Sequence, residues 1–205
     1  MLLSIIAYVV LVLGPYAAEQ FAYWKFVTKN QERGHHPPLK TVTRYGWVYL
    51  WDLAHFAVLV AAGFRFIGQD APLSAGEWLG WAIFGAGVGL RILALQALGP
   101  FYAGGTVIYE GHHVVDTGPY HYIRHPLHLG TMAEVAGLAM LSPLWLGLPA
   151  VVVSLVLTLY KGRDEDQALL DNLGAAYARY YARTWDIVDL VFWRRRRQVQ
   201  TEWDT

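Results

Sequence analysis

Residues 127–160 read LHLGTMAEVAGLAMLSPLWLGLPAVVVSLVLTLY, an apolar stretch that is interrupted at Ser142-Pro143. The stretch is too long for one membrane span, because about 20 helical residues cross a hydrocarbon core of roughly 30 Å. Two helices of about 15 and 17 residues, joined at the interruption, would form a membrane hairpin, each at or below the usual spanning length. This stretch therefore predicts an all-α integral membrane protein.

Three earlier apolar blocks, at residues 2–23, 46–67 and 78–98, each have about the length of a membrane span. The first block has no Lys or Arg before Lys25. A signal peptide needs a basic start and a small-residue cleavage site, so we expect a retained helix here. Together with the hairpin, the sequence predicts five transmembrane helices in a single domain of residues 1–205.

The composition agrees with a lipid environment, since 55% of the residues are hydrophobic and only 16% are charged. Lys plus Arg and Asp plus Glu both number 16, so the net charge is zero. This balance argues against nucleic acid as a partner, because nucleic-acid binders work through a basic surface. The sequence has no cysteine, which excludes disulfides, thiolate zinc sites and Cys nucleophiles, and we expect no bound metal.

The basic residues predict how the chain is oriented in the membrane. Five Lys or Arg residues separate the first two apolar blocks, and further basic residues appear at Arg124 and from Lys161 to Arg197. The positive-inside rule then places the N-terminus outside. The same rule places the C-terminus and the loop of residues 99–126 in the cytoplasm.

Two other stretches carry structural predictions. Residues 164–183 look like a cytoplasmic amphipathic helix with Asp164 as its N-cap, and residues 186–205 form a basic tail that is either solvated or rests on lipid headgroups. Residues 85–89 read GAGVG, like the glycine loop of soluble methyltransferases. That loop needs a strand before it, whereas this one lies inside an apolar block, so we expect close helix packing instead.

The most polar loop holds a concentration of groups suited to chemistry. Residues 111–130 read GHHVVDTGPYHYIRHPLHLG and contain five of the eight histidines, together with Arg124. Further along the chain, Lys161 and Glu165 are four residues apart, so a helix would place them on one face. In a five-helix fold, this face could meet the histidine loop.

Taken together, these segments resemble the isoprenylcysteine carboxyl methyltransferase superfamily, which also includes the phospholipid N-methyltransferases. The family pattern runs H-x-L-V, G-x-Y, R-H-P-x-Y, R-x-x-x-E-E and F-G-x-x-Y-x-x-Y. The likeness covers about residues 98–185 and consists of His112-His113-Val114-Val115, Gly118-Pro119-Tyr120, Arg124-His125-Pro126-Leu127-His128, Lys161-Gly162-Arg163-Asp164-Glu165-Asp166 and Leu173-Gly174-Ala175-Ala176-Tyr177-Ala178-Arg179-Tyr180. This sequence departs from the pattern at His128 for Tyr, Asp166 for the second Glu, and Lys161 for Arg.

The resemblance implies S-adenosylmethionine as the cofactor. It implies that the cofactor site is lined by His112, Val114, Val115, Tyr120, His125, Pro126, Leu127 and His128. Glu165 would hold the charged amino-acid end of the cofactor, and Lys161 would face the substrate. Arg124 and Glu165 would be the catalytic residues. Residues 1–98 would supply the acceptor side of the domain, and residues 99–185 the cofactor side.

The resemblance further implies methyl transfer to a lipophilic small molecule or a lipidated substrate in the membrane, with O-methylation of a carboxylate as the first expectation. A phospholipid amine, a thiol and a phenol stay open as acceptors, because Lys161 lacks the two-pronged fit of Arg to a carboxylate. A carboxylate needs no general base, whereas the other acceptors must lose a proton. The oligomeric state is left open.

Ionisable residues within the predicted spans form a second group of interest. They are Asp52, His55, Arg91 and Glu134. Such groups usually point inward and pair at membrane depth. They indicate either a structural ion-pair network or the wall of a substrate pocket.

Two other classes of enzyme share part of this pattern. His121-x-x-x-His125 matches one histidine box of membrane di-iron oxygenases, but the sequence has no H-x-x-H-H box. NADPH-dependent sterol-reductase-like enzymes share the Arg-His-Pro entry but lack the acidic R-x-x-x-E-E helix.

Overall fold

The computed structural model describes part of the chain, namely residues 8, 13, 14, 16–18, 20, 21, 24, 25, 38–41, 46–68, 72–102, 107–109, 111–187 and 189. Most of the predicted first span at 2–23 and nearly all of the predicted basic tail at 186–205 lie outside these residues. Most of the described residues are helical, in agreement with the predicted fold class.

Five helices have complete bounds in the described part of the chain. They are α1 (Gly46–Gly68), α2 (Ala75–Leu98), α3 (Pro126–Met140), α4 (Leu144–Leu173) and α5 (Ala175–Arg183). Single 3-10 turns occur at Gly99–Phe101 and Gly118–His121. The all-α prediction missed a small antiparallel sheet of β1 (Pro38–Thr41) and β2 (Val107–Tyr109), because strands of four and three residues are too short to show an alternating pattern.

The predicted hairpin is confirmed in its first helix and corrected in its second. α3 has 15 residues and ends before Ser142-Pro143, whereas α4 continues for 30 residues. A separate helix with Asp164 as N-cap is therefore wrong, because Asp164 lies inside α4. The charged residues after Tyr160 are good helix formers, so the change from apolar to polar does not end the helix. The break comes at Gly174, which has φ +52°.

Two of the described helices, α2 and α4, are long and apolar enough to cross a membrane by length and composition. The prediction of five spans is not confirmed beyond these helices, and the orientation of the chain stays a prediction.

The chain divides into two compact units. The first unit comprises residues 1–22, 44–92 and 128–158, and the second comprises residues 23–43, 93–127 and 159–205. The first unit has an apolar core to which α1, α2 and α3 contribute, with buried Val58, Phe84, Val88, Val135 and Leu138. The second unit buries Ile108, Tyr120, Ala168, Tyr177 and Tyr180.

Glycines in the first unit allow α2 and α3 to approach each other closely. A Cβ atom on Gly87 would lie 2.7 Å from the carbonyl oxygen of Gly130. A Cβ atom on Gly137 would lie 2.5 Å from the carbonyl oxygen of Gly80. The packing interpretation of residues 85–89 is thus confirmed at Gly87, whose backbone contact leaves no space for a side chain.

Candidate active site

The loop that carries Arg124 pairs with the segment after α5. The main-chain N–H of Arg124 donates to the carbonyl of Trp185 at 2.7 Å, and the N–H of Trp185 donates to the carbonyl of Tyr122 at 2.9 Å. These bonds form a parallel bridge between Ile123 and Trp185. The backbone on both sides is fixed by this pairing, which sets the position of the next residue, His125.

The guanidinium of Arg124 is buried among acidic and aromatic groups. Its Nη2 lies 2.8 Å from Oδ2 of Asp189, and its Nε lies 3.9 Å from Oδ2 of Asp166. Its Nη1 donates to the carbonyl of Tyr181 at 3.1 Å, and its Cζ lies 3.7 Å from the centre of the Tyr181 ring. Only 1% of the Arg124 side chain is exposed, so the neighbouring carboxylates must compensate its charge.

His125 lies between two carboxylates that follow each other on α4. Its Nε2 is 2.9 Å from Oδ1 of Asp166, and its Nδ1 is 3.8 Å from Oε2 of Glu165. Burial by itself lowers the pKa of His125, but the charge of Asp166, its hydrogen bond and the charge of Glu165 outweigh burial and raise the pKa to about 9. His125 is therefore an imidazolium at neutral pH. The hydroxyl of Tyr177 donates to the same Asp166 oxygen at 2.6 Å.

A tyrosine of α5 also holds the loop that carries Arg124. The hydroxyl of Tyr180 on α5 donates to the carbonyl of Tyr120 at 2.9 Å. Burial raises the pKa of Tyr120 and Tyr177 well above 10. These phenols therefore stay protonated at physiological pH and do not act as bases.

His112 forms an aromatic pair at the start of the loop. Its ring stacks on Phe101 with 4.6 Å between ring centres and an angle of 14° between planes. Burial, and then the neighbouring His113, lower the pKa of His112 to about 4. The pair therefore offers a neutral, flat surface next to the loop.

The part of the sequence that carries most of this site matches a known family. Residues 78–171 match the family model of isoprenylcysteine carboxyl methyltransferases. This match supports membership of the isoprenylcysteine carboxyl methyltransferase superfamily. No curated protein matches the chain.

The match also supports a membrane methyltransferase of the isoprenylcysteine carboxyl methyltransferase type. The match includes Arg124 and His125, and it includes the two acidic residues of α4 that lie next to His125, Glu165 and Asp166. It ends before α5, although α5 and the segment after it supply the contacts of Arg124 with Tyr181, Trp185 and Asp189.

Within the second unit, the structure places His125 3.8 Å from Glu165, whereas Arg124 contacts the next residue of α4, Asp166. Lys161 is half-buried and lies one helical turn before Glu165 on α4. The remaining predicted residues are buried or half-buried in or next to the loop, namely Val114, Val115, Tyr120, Pro126, Leu127 and His128. Whether these residues contact a cofactor stays a prediction.

The sequence reasoning missed several residues of the cluster. In the sequence Asp166 is only a departure from the family pattern, whereas in the structure it contacts His125 and Tyr177. Tyr177 and Tyr180 were visible in the tyrosine repeat of that pattern. Asp186 and Asp189 had no signal in the sequence, because they meet the loop only through the tertiary fold.

A divalent metal could use part of the same cluster. One ligand atom from each of His125, Asp166 and Asp186 lies within 4.8 Å of the others. However, His125 and Asp166 already form a charged hydrogen bond, and the nearby guanidinium of Arg124 repels a cation. We therefore interpret the three residues as an ion-pair cluster.

The structure does not support a di-iron histidine box at His121 and His125. Such a box requires both histidines on one regular helix. His121 lies instead in the 3-10 turn, where it is exposed, and it shares no helix with His125.

The first unit contains a separate buried cluster, formed by three of the four ionisable residues of the predicted spans. Nε2 of His55 and Nε of Arg91 each lie 3.5 Å from a carboxylate oxygen of the fully buried Glu134. Arg91 also donates to the hydroxyl of Thr131. The fourth residue, Asp52, is exposed. This geometry supports an ion-pair network that links α1, α2 and α3.

Proposed function

We propose that the protein transfers the methyl group of S-adenosylmethionine to a lipophilic acceptor in the membrane, and that the preferred acceptor is the carboxylate of a prenylated cysteine. The observation that carries the proposal is the placement of His125 between Glu165 and Asp166, at the family motif. S-adenosylmethionine would supply an electrophilic methyl group on a positively charged sulfur.

The charges of the second unit suit a cationic cofactor. Four carboxylates, those of Glu165, Asp166, Asp186 and Asp189, lie around two cations, Arg124 and His125. Asp166 and Asp189 are turned toward these cations, whereas Glu165 keeps 28% of its side chain exposed. Glu165 is therefore the carboxylate best placed to bind the ammonium group of S-adenosylmethionine, as the resemblance implies.

The aromatic pair suits the uncharged part of the same cofactor. The neutral ring of His112 on Phe101 offers a flat surface for a nucleobase. Because its pKa is about 4, His112 adds no positive charge that would repel the sulfonium at neutral pH.

The protonation states of the cluster favour an acceptor that is already an anion. His125 holds its proton at neutral pH, and His112 with a pKa of about 4 is a weak base. Tyr120 and Tyr177 stay protonated. A thiol, phenol or amine must lose a proton during methylation, whereas a carboxylate needs no base. A water-poor site would accelerate the reaction further, because opposite charges on acceptor and donor disappear in the transition state.

In this mechanism the chain acts by binding and positioning. His125, held in place by its hydrogen bond to Asp166, would fix the position of Glu165 through its charge. Lys161, one turn before Glu165, would supply the positive charge that attracts the acceptor carboxylate. Lys gives a point charge rather than a two-pronged fit, so we expect a broader choice of carboxylate geometry than Arg would allow.

The proposal is tested with the purified full chain in detergent, methyl-tritiated S-adenosylmethionine and an S-prenylated N-acetylcysteine. We expect tritium in a product that releases volatile methanol in alkali, as a methyl ester does. The same acceptor with its carboxylate blocked as an amide should accept no label. Transfer to phosphatidylethanolamine or to a prenyl thiol instead would overturn the proposed acceptor.

Cofactor binding is tested separately by calorimetry. Glu165→Gln should weaken the affinity for S-adenosylmethionine at least about tenfold, since a hydrogen bond to a charged group contributes about 1.5–3 kcal/mol. The matched control is Asp171→Asn, which removes the same charge from an exposed position on α4. Unchanged affinity in the Glu165 variant, or no binding by the wild-type protein, would overturn the cofactor assignment.

A further inference from the structure

The segment after α5 lies outside the residues that match the family model, yet it contacts the centre of the candidate site. It comprises the described residues 184–187 and 189. Its Trp185 forms the backbone bridge to the loop, and its Asp186 contributes to the carboxylates around His125.

Asp189 makes the shortest charged contact of Arg124. The distance from Nη2 of Arg124 to Oδ2 of Asp189 is 2.8 Å, against 3.9 Å from Nε to Asp166. The same Oδ2 of Asp189 accepts the main-chain N–H of Asp186 at 3.1 Å. Asp189 therefore joins the guanidinium to the backbone of its own segment.

The burial of Arg124 gives this contact its importance. A buried guanidinium without a counter-charge is strongly unfavourable. Asp166 is shared, because the same carboxylate binds His125 and Tyr177. If Asp189 were removed, the nearest carboxylate left to Arg124 would be Asp166, with Asp186 as a further negative charge. Arg124 would then compete with His125 for Asp166.

We propose that Asp189 is a positioning residue that acts through Arg124. By balancing the charge of Arg124, Asp189 leaves Asp166 free to bind His125. The pair of His125 and Asp166 then holds the loop that carries His125 against α4. The effect of Asp189 on cofactor affinity rests on the proposed function, whereas its coupling to Arg124 does not. The residue touches neither cofactor nor acceptor in this proposal, so its influence must pass through the Arg124 side chain.

The test is a double-mutant cycle of Asp189→Asn, Arg124→Gln and the double variant, in the full chain in detergent. Two quantities are measured for each protein, the midpoint of thermal unfolding and the affinity for S-adenosylmethionine by calorimetry. Asp189→Glu tests rescue by a retained charge. Asp171→Asn serves as the matched control, because it removes an exposed carboxylate from α4.

We expect each single variant to weaken S-adenosylmethionine binding about tenfold, and the double variant to be no weaker than the worse single variant. The unfolding midpoints should show the same lack of additivity. Asp189→Glu should recover part of the affinity, which a purely steric role would not produce.

Two results would overturn the inference. They are additive losses in the double variant, and an Asp189→Asn protein that binds and unfolds like the Asp171→Asn control. If the wild-type protein fails to bind S-adenosylmethionine, the proposed function is wrong, and the unfolding midpoints alone then decide whether Asp189 is coupled to Arg124.

Discussion

Nε2 of His125 lies 2.9 Å from Oδ1 of Asp166, and both side chains are buried. This pair makes His125 a cation within the folded protein, because the gain from the carboxylates exceeds the cost of burial. The charge state of the loop is thus set by α4, and the loop and α4 depend on each other for stability.

The pair predicts that stability depends on pH. The pKa of His125 is about 9 in the folded protein, above the usual 6.5, so the folded state binds the proton more tightly than the unfolded state. The stabilisation is complete below pH 6.5 and is lost as the pH rises toward 9. Its full size is on the order of 3 kcal/mol. Thermal unfolding in detergent between pH 6 and 10 measures the loss.

The control for this pH dependence is His125→Gln, whose unfolding midpoint should be lower at pH 6 and nearly flat up to pH 9. A wild-type midpoint that stays constant between pH 6.5 and 9 would contradict the assignment of a charged His125.

Tyr180→Phe should destabilise the second unit, because it removes the hydrogen bond to the Tyr120 carbonyl. A buried acceptor left without this donor costs about 1–3 kcal/mol. The matched control is Tyr181→Phe, which keeps the ring that lies against Arg124. Unfolding midpoints compare the two variants, and equal values would show that the Tyr180 hydroxyl contributes nothing.

The sequence predicted the local features of this protein better than its tertiary contacts. The hairpin interruption at Ser142-Pro143 could be read directly, because a break in an apolar run is local. The continuation of α4 through Asp164 could not, because helix-forming polar residues look the same in one long helix or two.

In the candidate site too, the residues within motifs were predicted and a tertiary contact was not. Arg124, His125 and Glu165 were predicted from their motifs, and the structure places His125 3.8 Å from Glu165 and Arg124 in contact with Asp166. Asp189 was not predicted, since its partner Arg124 is 65 residues away in the sequence and no spacing rule links the two.

Glu134→Ala should strongly destabilise the first unit. The variant leaves Arg91 and His55 inside the protein without the carboxylate that lies 3.5 Å from each. Breaking a buried ion pair from one side costs about 3–5 kcal/mol. Thermal unfolding in detergent should show a much lower midpoint, whereas Leu53→Ala, at an exposed position on α1, should leave it nearly unchanged. Similar midpoints in the two variants would contradict an ion-pair network.

Gly137→Ala tests the close packing of α2 and α3. The new methyl group would lie 2.5 Å from the Gly80 carbonyl oxygen and 2.6 Å from the main-chain N of Phe84, so the helices would have to separate. Overpacking of this kind costs about 1–3 kcal/mol. The matched control is Gly85→Ala, because a Cβ atom on Gly85 would meet no atom of the described residues within 4 Å. The higher helix propensity of Ala should then slightly stabilise α2. Unfolding midpoints should therefore move in opposite directions, and a Gly137→Ala midpoint that stays unchanged or rises would show that Gly137 is not at a packing contact.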